Sequence, residues 1–342
     1  MVRRLVRETA DTVVVLDALT YAASPDAVAE CEASGRYQLV TGDIRDEARV
    51  HAVFEAHRPD RVLHLAAETH VDRSIDGPRA FVDTNINGTY TLLQAARAHY
   101  DRLDGEARAR FRFLHVSTDE VYGSLGPDDP AFNETTPYDP RSPYAASKAA
   151  SDHLARAWGE TFGLPVIVSN CTNNYGPWQH PEKLIPHMIA RCADAMPLPV
   201  YGSGLNVRDW LNVEDHVEAL HLILERAGPG ASFCIGGGAE RTNLQVVEAI
   251  CAALDLRRPG GAPHASRIRF VTDRPGHDFR YAMDYTALER AFGWSPRRRF
   301  DDGLAATVDW YLEHEAWWRG LIARSGGARR LGLGAAHHTE GT

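Results

Sequence analysis

The chain has 342 residues, of which 44% are hydrophobic and 24% are charged, a composition typical of a folded protein with a sizeable core. The net charge of −9 and the scattered basic residues argue against nucleic acid as a main partner. No apolar run approaches the roughly 18 residues that span a bilayer, so we expect no membrane segment. The five cysteines and sixteen histidines show no metal-ligand spacing, and we expect reduced, cytoplasmic thiols and no bound metal.

Five short apolar runs in the first half of the chain alternate with helical stretches and predict strands. They are VVVLD (13–17), RYQLV (36–40), RVLHLAA (61–67), FRFLHVS (111–117) and LPVIVSN (164–170). Continuous apolar strands separated by helices are typical of an α/β fold with a doubly wound parallel sheet covered on both faces. Such a sheet binds its ligands at the carboxyl ends of the strands, where this sequence places polar or small residues.

The second half of the chain is richer in Pro, Gly and Trp, as in YGPWQHPEKLIP and VYGSGLNVRDWLNVEDH. We expect residues 173–212 and 239–324 to form a smaller substrate-binding lobe. This lobe is interleaved with a sheet domain made of residues 1–172, to which residues 213–238 return. The tail, residues 325–342, is rich in Gly and Ala, and we expect it to be disordered.

The segment SPYAASKAASD places Tyr144 and Lys148 four residues apart, on one face of a predicted helix. The helix follows a strand that ends in Ser117 and Thr118. A tyrosine has an unperturbed pKa of ~10, so it becomes a base at neutral pH only beside a cation, and Lys148 can supply one. The alternative is that Tyr144 is merely a packed helical aromatic.

The segment HVSTDEVYG places two adjacent carboxylates, Asp119 and Glu120, at the end of the same strand. Adjacent carboxylates on a loop are usually solvated surface charges. Directly after Thr118, however, they would lie at the ligand-binding edge of the sheet. Two neighbouring carboxyls resist double ionisation, which favours one acid and one base.

These motifs together resemble the nucleotide-sugar 4,6-dehydratases of the extended short-chain dehydrogenase/reductase family, most closely the dTDP-glucose 4,6-dehydratases. The resemblance implies a Rossmann-like fold, NAD as cofactor, and conversion of dTDP-glucose to dTDP-4-keto-6-deoxyglucose by a cytoplasmic homodimer. It implies that Tyr144, Lys148 and Thr118 oxidise C4 of the sugar. Glu120 then removes the C5 proton, Asp119 protonates the departing C6 hydroxyl, and NADH returns its hydride to C6.

The resemblance extends over nearly the whole chain and implies further contacts. Cofactor contacts are expected at Asp17, Thr20, Asp43, Ile44, Leu65, Ala66, Ala67, Thr84, Tyr144, Lys148 and Asn174. Substrate contacts are expected at Thr69, Thr118, Asn173, Lys183, Leu184, Pro199, Val200, Tyr201, Arg208, Arg274 and His277. The sequence departs from the family pattern at Cys234, usually asparagine, and at Ala18, commonly lysine.

Lys148 and Lys183 are the only lysines among 37 basic residues. A strong preference for arginine elsewhere suggests that these two positions need a compact ammonium rather than a flat guanidinium.

Two other functions remain open from the sequence. One is a family relative with a different outcome, a 4-epimerase or a decarboxylase, against which the Asp119–Glu120 pair argues because those relatives lack it. The other is a non-catalytic protein that binds NAD or a nucleotide sugar, against which the intact set of catalytic residues argues.

The beginning of the sequence differs from that of a usual dinucleotide fold, which opens with a strand and a glycine-rich turn that holds the pyrophosphate. Asp17 ends a strand and matches the acidic residue that holds the ribose, but the first glycine is Gly35, and residues 3–12 resemble the helix after such a turn. We therefore expect Met1 to be an internal methionine and the working protein to begin about 15 residues earlier. The alternatives are a truncated, inactive product and a different way of binding phosphate.

On this expectation, the chain as printed should be insoluble or free of cofactor, whereas the extended chain should fold and bind NAD. Loss of a central strand leaves buried backbone groups of both neighbouring strands unsatisfied, at roughly 1–3 kcal/mol each. A handful of such groups would exceed a net stability of roughly 5–15 kcal/mol. Thermal melts of both forms with and without NAD check this, and a cooperative melt of the short form that NAD stabilises would contradict it.

Overall fold

The structure, a computed structural model, describes residues 1–324, so the predicted disordered tail lies outside the described residues. The strands are β1 (Val13–Asp17), β2 (Tyr37–Thr41), β3 (Arg61–His64), β4 (Arg112–Thr118), β5 (Val166–Cys171), β6 (Asn173–Tyr175), β7 (Leu198–Tyr201), β8 (Val207–Asn212), β9 (Ser232–Ile235), β10 (Glu240–Thr242) and β11 (Ile268–Val271). The five strands that the sequence predicts are confirmed as β1 to β5.

Helices separate most of these strands. They are α1 (Val2–Glu8), α2 (Glu47–His57), α3 (Val71–Asp76), α4 (Pro78–Phe81), α5 (Thr89–Tyr100), α6 (Gly105–Arg110), α7 (Pro143–Phe162), α8 (Leu184–Ala193), α9 (Val213–Arg226), α10 (Asn243–Arg257), α11 (Thr286–Phe292), α12 (Phe300–Glu313) and α13 (Glu315–Arg324). Among the helices of residues 1–324, none is both long and apolar enough to cross a membrane.

The main sheet is parallel and has the strand order β3-β4-β5-β9. A second parallel pair, β1-β2, lies apart from it in the hydrogen-bonding pattern of the described residues. The α/β fold with parallel strands and covering helices is therefore confirmed, with the sheet in two hydrogen-bonded pieces.

Strand β4 sends alternate side chains to opposite faces of the sheet, as the pleat requires. Phe113 and His115 face α5 and α7, whereas Leu114 and Val116 face α9. Two apolar cores result, one on each face, which explains why this strand reads as a continuous buried run.

Helix α7 carries the predicted Tyr144 and Lys148 and has well-defined ends. The side chain of Ser142 accepts a hydrogen bond from the Ala145 amide at 3.0 Å, and Pro143 occupies the first turn. The helix ends at Gly163, whose φ of 67° is the left-handed conformation that favours glycine. These ends position the helix along β4 with a fixed register.

A further core lies between α8, α10 and α12, with Ile185, Val247 and Val308 among its fully buried side chains. Two smaller sheets, β10-β8-β6 and β11-β7, accompany these helices. Strand β8 is tied to the loop after β9 because the Asp209 carboxylate accepts hydrogen bonds from the amides of Gly237 and Ala239, each at 2.8 Å.

Replacement of Gly237 by alanine should destabilise this junction. A Cβ atom at Gly237 would lie 2.1 Å from the Trp210 carbonyl oxygen, so the backbone would have to move. We expect a loss of about 1–3 kcal/mol in the free energy of unfolding, measured by urea denaturation. Gly228→Ala is the matched control, because a Cβ there meets nothing within 4 Å. Equal stability of the two variants would contradict the prediction.

Candidate active site

A cavity of about 740 Å³ lies between the carboxyl edge of the main sheet and helix α8 with strands β7 and β8. Every predicted substrate residue except Thr118 lines it, and so does Glu120. The lining residues that the sequence predicts are Thr69, Asn173, Lys183, Leu184, Pro199, Val200, Tyr201, Arg208, Arg274 and His277. Residues that are distant from one another in the chain are thus brought to one cavity.

Thr118 ends β4, and its hydroxyl organises the turn that follows. It donates to Asp119 Oδ1 at 3.1 Å and accepts from the Glu120 amide at 3.3 Å. The other oxygen of Asp119 lies 2.9 Å from the hydroxyl of Thr172, which lies 2.9 Å from the Asp209 carbonyl. The Asp119 side chain is therefore buried and held on both oxygens by hydroxyl groups.

The two adjacent carboxyls have different electrostatic surroundings. Burial raises the pKa of Asp119 to about 7, the neighbouring Glu120 adds to this, and the hydroxyl contacts oppose it. Burial also raises the pKa of Glu120, but Arg274, Arg208 and Lys183 oppose the shift with positive charge. Because positive charge opposes the rise at Glu120, the arrangement favours Asp119 as the acid of the pair and Glu120 as the base.

Tyr144 and Lys148 are both buried, at 8% and 4% exposure. Burial raises the pKa of Tyr144 and the charge of Glu120 adds to it, whereas a hydrogen bond with Thr118 opposes the rise. The Lys148 ammonium donates to the Val116 carbonyl at 2.9 Å. The Thr118 hydroxyl therefore interacts with both Tyr144 and Asp119, while the lysine is fixed to the strand just before them.

The predicted cations occupy the cavity wall around Glu120. Arg274 donates to Asp72 Oδ1 at 3.0 Å, and although burial opposes its charge, Asp72 and Glu120 raise its pKa. Arg208 lies 4.1 Å from the ring centre of Tyr281, and burial lowers the pKa of its guanidinium. These two arginines, together with Lys183, make the wall suitable for a phosphate-bearing ligand.

The third cation, Lys183, donates to the Thr69 carbonyl at 2.9 Å, and burial lowers the pKa of its ammonium. This bond joins the loop before α8 to the loop after β3. Both loops line the cavity.

The predicted cofactor residues lie along the strand ends outside this cavity. Asp17 ends β1 and accepts from the Leu19 amide at 2.7 Å, and Thr20 is exposed beside it. Asp43 follows β2 and pairs with Arg45, which lowers the pKa of Asp43. Leu65 follows β3 and remains 51% exposed.

The other predicted cofactor positions are less open. Ala66, Ala67 and Thr84 are half-buried. The side chain of Ile44 is packed in the core at 6% exposure, which leaves only its backbone for a ligand. Asn174 Oδ1 lies 2.9 Å from His216 Nδ1, and this residue does not line the cavity described above.

Sequence reasoning missed several residues of the site. Asp72, which holds Arg274 and accepts from Tyr201 at 3.2 Å, stands inside the segment HLAAETHVDRSI. Thr172 stands inside NCTNNYG, where its hydroxyl marks a polar strand end. The far end of the cavity is lined by His187, Met188, Arg191, Asn243, Val247 and Ile322. Helical spacing from Leu184 could have indicated the α8 members of that set.

Comparison with known proteins places the chain in a family. Residues 1–307 match the family model described as GDP-mannose 4,6 dehydratase. A dTDP-glucose 4,6-dehydratase of Neisseria meningitidis serogroup B is 50% identical over 338 residues, 98% of this chain and 95% of that relative. One of Xanthomonas campestris pv. campestris is 53% identical over 322 residues, 94% of this chain and 92% of that relative.

Solved structures agree with this relationship. DesIV of Streptomyces venezuelae, a dTDP-glucose 4,6-dehydratase with NAD and TYD bound, is 44% identical with a TM-score of 0.85, over 94% of this chain and 95% of its own. A UDP-glucose 4-epimerase of Thermus thermophilus in complex with NAD is 29% identical with a TM-score of 0.78, over 91% and 93%. Fold and site thus define an enzyme of the nucleotide-sugar dehydratase and epimerase class. The chain belongs to the dTDP-glucose 4,6-dehydratase family.

Asp119 should remain protonated up to about pH 7, because burial raises its pKa to about 7. An ordinary aspartate loses its proton near a pH of ~3.9. Difference infrared spectra of the protein and its Asp119→Asn variant, taken across pH, should show a protonated-carboxyl band that disappears near neutrality. The exposed Asp128→Asn change is the control and should leave that band in place. Loss of the band near pH ~4, the ordinary range for an aspartate, would contradict the assignment.

Proposed function

We propose that this chain converts dTDP-glucose to dTDP-4-keto-6-deoxyglucose with NAD as its cofactor. The observation that carries the proposal is the Asp119–Glu120 pair, in which hydroxyls contact the buried Asp119 carboxyl and cations face Glu120 in the cavity wall. Removal of water from a sugar needs both an acid for the leaving hydroxyl and a base for the neighbouring proton. The family of the chain and its named relatives support the same reaction.

In the proposed mechanism, Tyr144 takes the proton of the C4 hydroxyl, and Thr118 orients that hydroxyl. NAD, which Asp17 and Lys148 would hold, would supply the hydride acceptor for C4 and the hydride donor for C6. The ketone at C4 acidifies the proton at C5, which Glu120 removes as a carboxylate. Asp119, held protonated by burial, then gives its proton to the departing C6 hydroxyl, which leaves as water. Glu120 returns its proton to C5 when the hydride reaches C6, which completes the 4-keto-6-deoxy product.

The cationic wall of the cavity would hold the diphosphate. Arg274 and Arg208 can each offer a guanidinium fork to phosphate oxygens, and Lys183 adds a point charge between the two loops. The lining beyond them, with Val200 and Leu184, would hold the nucleoside, so the sugar is directed toward Glu120. We assign substrate binding to residues 173–212 and 239–324, and cofactor binding to residues 1–172 with 213–238.

The strand ends fit NAD on the ribose and nicotinamide sides. The Asp17 carboxylate ends β1, where it can accept the ribose hydroxyls and repel a 2′-phosphate, which favours NAD over NADP. Half-exposed Leu65 offers an apolar surface to a ring, and Lys148, one turn after Tyr144 on α7, would hold the nicotinamide ribose. We further propose a cytoplasmic homodimer that pairs through two helices of the sheet domain.

A 4-epimerase is the second candidate, because a UDP-glucose 4-epimerase shares the fold at 29% identity. Epimerisation at C4 requires only hydride removal and return, so it needs neither an acid for a leaving group nor a base at C5. Asp119 with a pKa of about 7 would have no task in that reaction. The buried pair therefore favours dehydration.

Glu120→Gln should separate the two half-reactions. The variant keeps Tyr144 and Lys148, so C4 oxidation continues, but it lacks the base at C5, and product formation should fall roughly 10²–10⁴-fold. Rapid mixing with dTDP-glucose should therefore build up enzyme-bound NADH absorbance in a single turnover. Glu160→Gln, the same chemical change on the exposed face of α7, is the matched control. Unchanged formation of the 4-keto-6-deoxy product by Glu120→Gln would remove Glu120 from the mechanism.

A further inference from the structure

A buried carboxylate lies beneath the catalytic lysine. Asp152 is one helical turn after Lys148 on α7 and has no exposed surface. Its Oδ1 lies 2.9 Å from His115 Nε2, and its Oδ2 accepts from the Tyr138 hydroxyl at 2.9 Å and from the Asn170 amide at 3.2 Å. Hydrogen bonds donated to both oxygens stabilise the ionised form. Burial opposes this, yet the bonds and the nearby Lys148 charge hold the pKa of Asp152 below its usual value.

The imidazole of His115 does not neutralise this carboxylate. An ionised carboxylate only accepts hydrogen bonds, so His115 Nε2 carries the hydrogen of their 2.9 Å contact. Burial lowers the pKa of His115, and its Nδ1 has no hydrogen-bond partner among the described residues, as expected for a neutral ring. The His115–Asp152 pair therefore keeps a net negative charge.

The Lys148 ammonium is a buried cation one helical turn before Asp152 on α7. It binds the Val116 carbonyl, one residue along β4 from His115. Burial lowers the pKa of Lys148, and the charge of Asp152 is the leading influence that raises it again. The titratable groups around the lysine are Asp152 and Tyr144 on α7, His115 on β4, His64 on β3 and Cys171 at the end of β5.

We propose that Asp152 is a positioning residue whose buried charge keeps the Lys148 ammonium protonated, with His115 and Tyr138 fixing the carboxylate in place. The proposal deepens the proposed function, on which it rests, because Tyr144 can act as a base only beside a charged lysine. The sign follows from the charges. Removal of the Asp152 charge lowers the pKa of Lys148, so the lysine loses its proton, and its effect on Tyr144, at a lower pH.

The sequence allows this pKa to be measured directly. Lys148 and Lys183 are the only lysines, so protein labelled with ¹³C at lysine Cε gives two lysine signals, and Lys183→Arg assigns them. In the unsubstituted, NAD-bound protein, the Lys148 signal should be that of the charged form at neutral pH. A deprotonated Lys148 there would overturn the proposal whatever the variants do.

Asp152→Asn keeps the shape of the side chain and removes its charge. We expect the pKa of Lys148 to fall by about one unit or more, equivalent to at least about a tenfold change in its proton affinity. Asp152→Ser, which leaves room for a water molecule, serves the same purpose if the first variant folds poorly. Ser151→Ala is the matched control, because Ser151 Oγ lies 3.1 Å from the same His115 nitrogen but carries no charge. An unchanged pKa of Lys148 in the Asp152 variants, or an equal fall in Ser151→Ala, would overturn the proposal.

The pH dependence of the oxidation step gives a second test of the role of Asp152. In single-turnover mixing with dTDP-glucose, the rate of NADH formation should fall as the pH is raised. This fall should begin at a lower pH in Asp152→Asn than in the unsubstituted protein or Ser151→Ala. A uniform loss of rate at every pH would indicate a merely structural role. Absence of NADH formation in unsubstituted protein that has NAD bound would refute the proposed function, while the lysine titration would still decide the role of Asp152.

Discussion

The contact between β4 and α7 determines the geometry of the site. Buried polar bonds join them, among them one from Lys148 to the Val116 carbonyl and one between His115 and Asp152. Buried polar groups are tolerated only with partners, so these bonds fix both the height and the rotation of the helix against the strand. Because β4 ends at Thr118, the same contact brings Tyr144 beside the hydroxyl that also holds Asp119.

The two adjacent carboxyls, Asp119 and Glu120, are suited to different roles because their side chains face different surroundings. Asp119 turns back into the protein, where Thr118 and Thr172 contact its oxygens and burial raises its pKa to about 7. Glu120 turns toward the cavity, where three cations counteract the cost of burying its charge. The cations thus have two effects at once, since they suit a diphosphate and they favour the ionised base beside the acid.

The sequence predicts the structure where a single residue type or a run of apolar residues determines it. Strands β1 to β5 are short apolar runs, and the substrate set around Lys183 and Arg274 was predicted through family resemblance. The sequence could not indicate Asp72 or Asp152, because a lone aspartate in a helical segment usually faces solvent and only the fold shows which neighbours enclose it. Nor could it show that the parallel strands form two hydrogen-bonded groups, since pairing depends on contacts distant in the chain.

The structure shows what surrounds the two lysines that stand out in the composition, Lys148 and Lys183. Lys148 is 4% exposed, its ammonium donates to one backbone carbonyl, and the buried charge of Asp152 is the leading influence that raises its pKa. At position 183 the ammonium reaches both oxygens of Thr69 across a loop junction, at 2.9 and 3.2 Å. A chain that uses arginine at 35 of its 37 basic positions thus has lysine at two positions where the ammonium donates to a backbone carbonyl at 2.9 Å. Of the two lysines, one therefore lies a helical turn after Tyr144 on α7 and the other lies in the wall of the cavity.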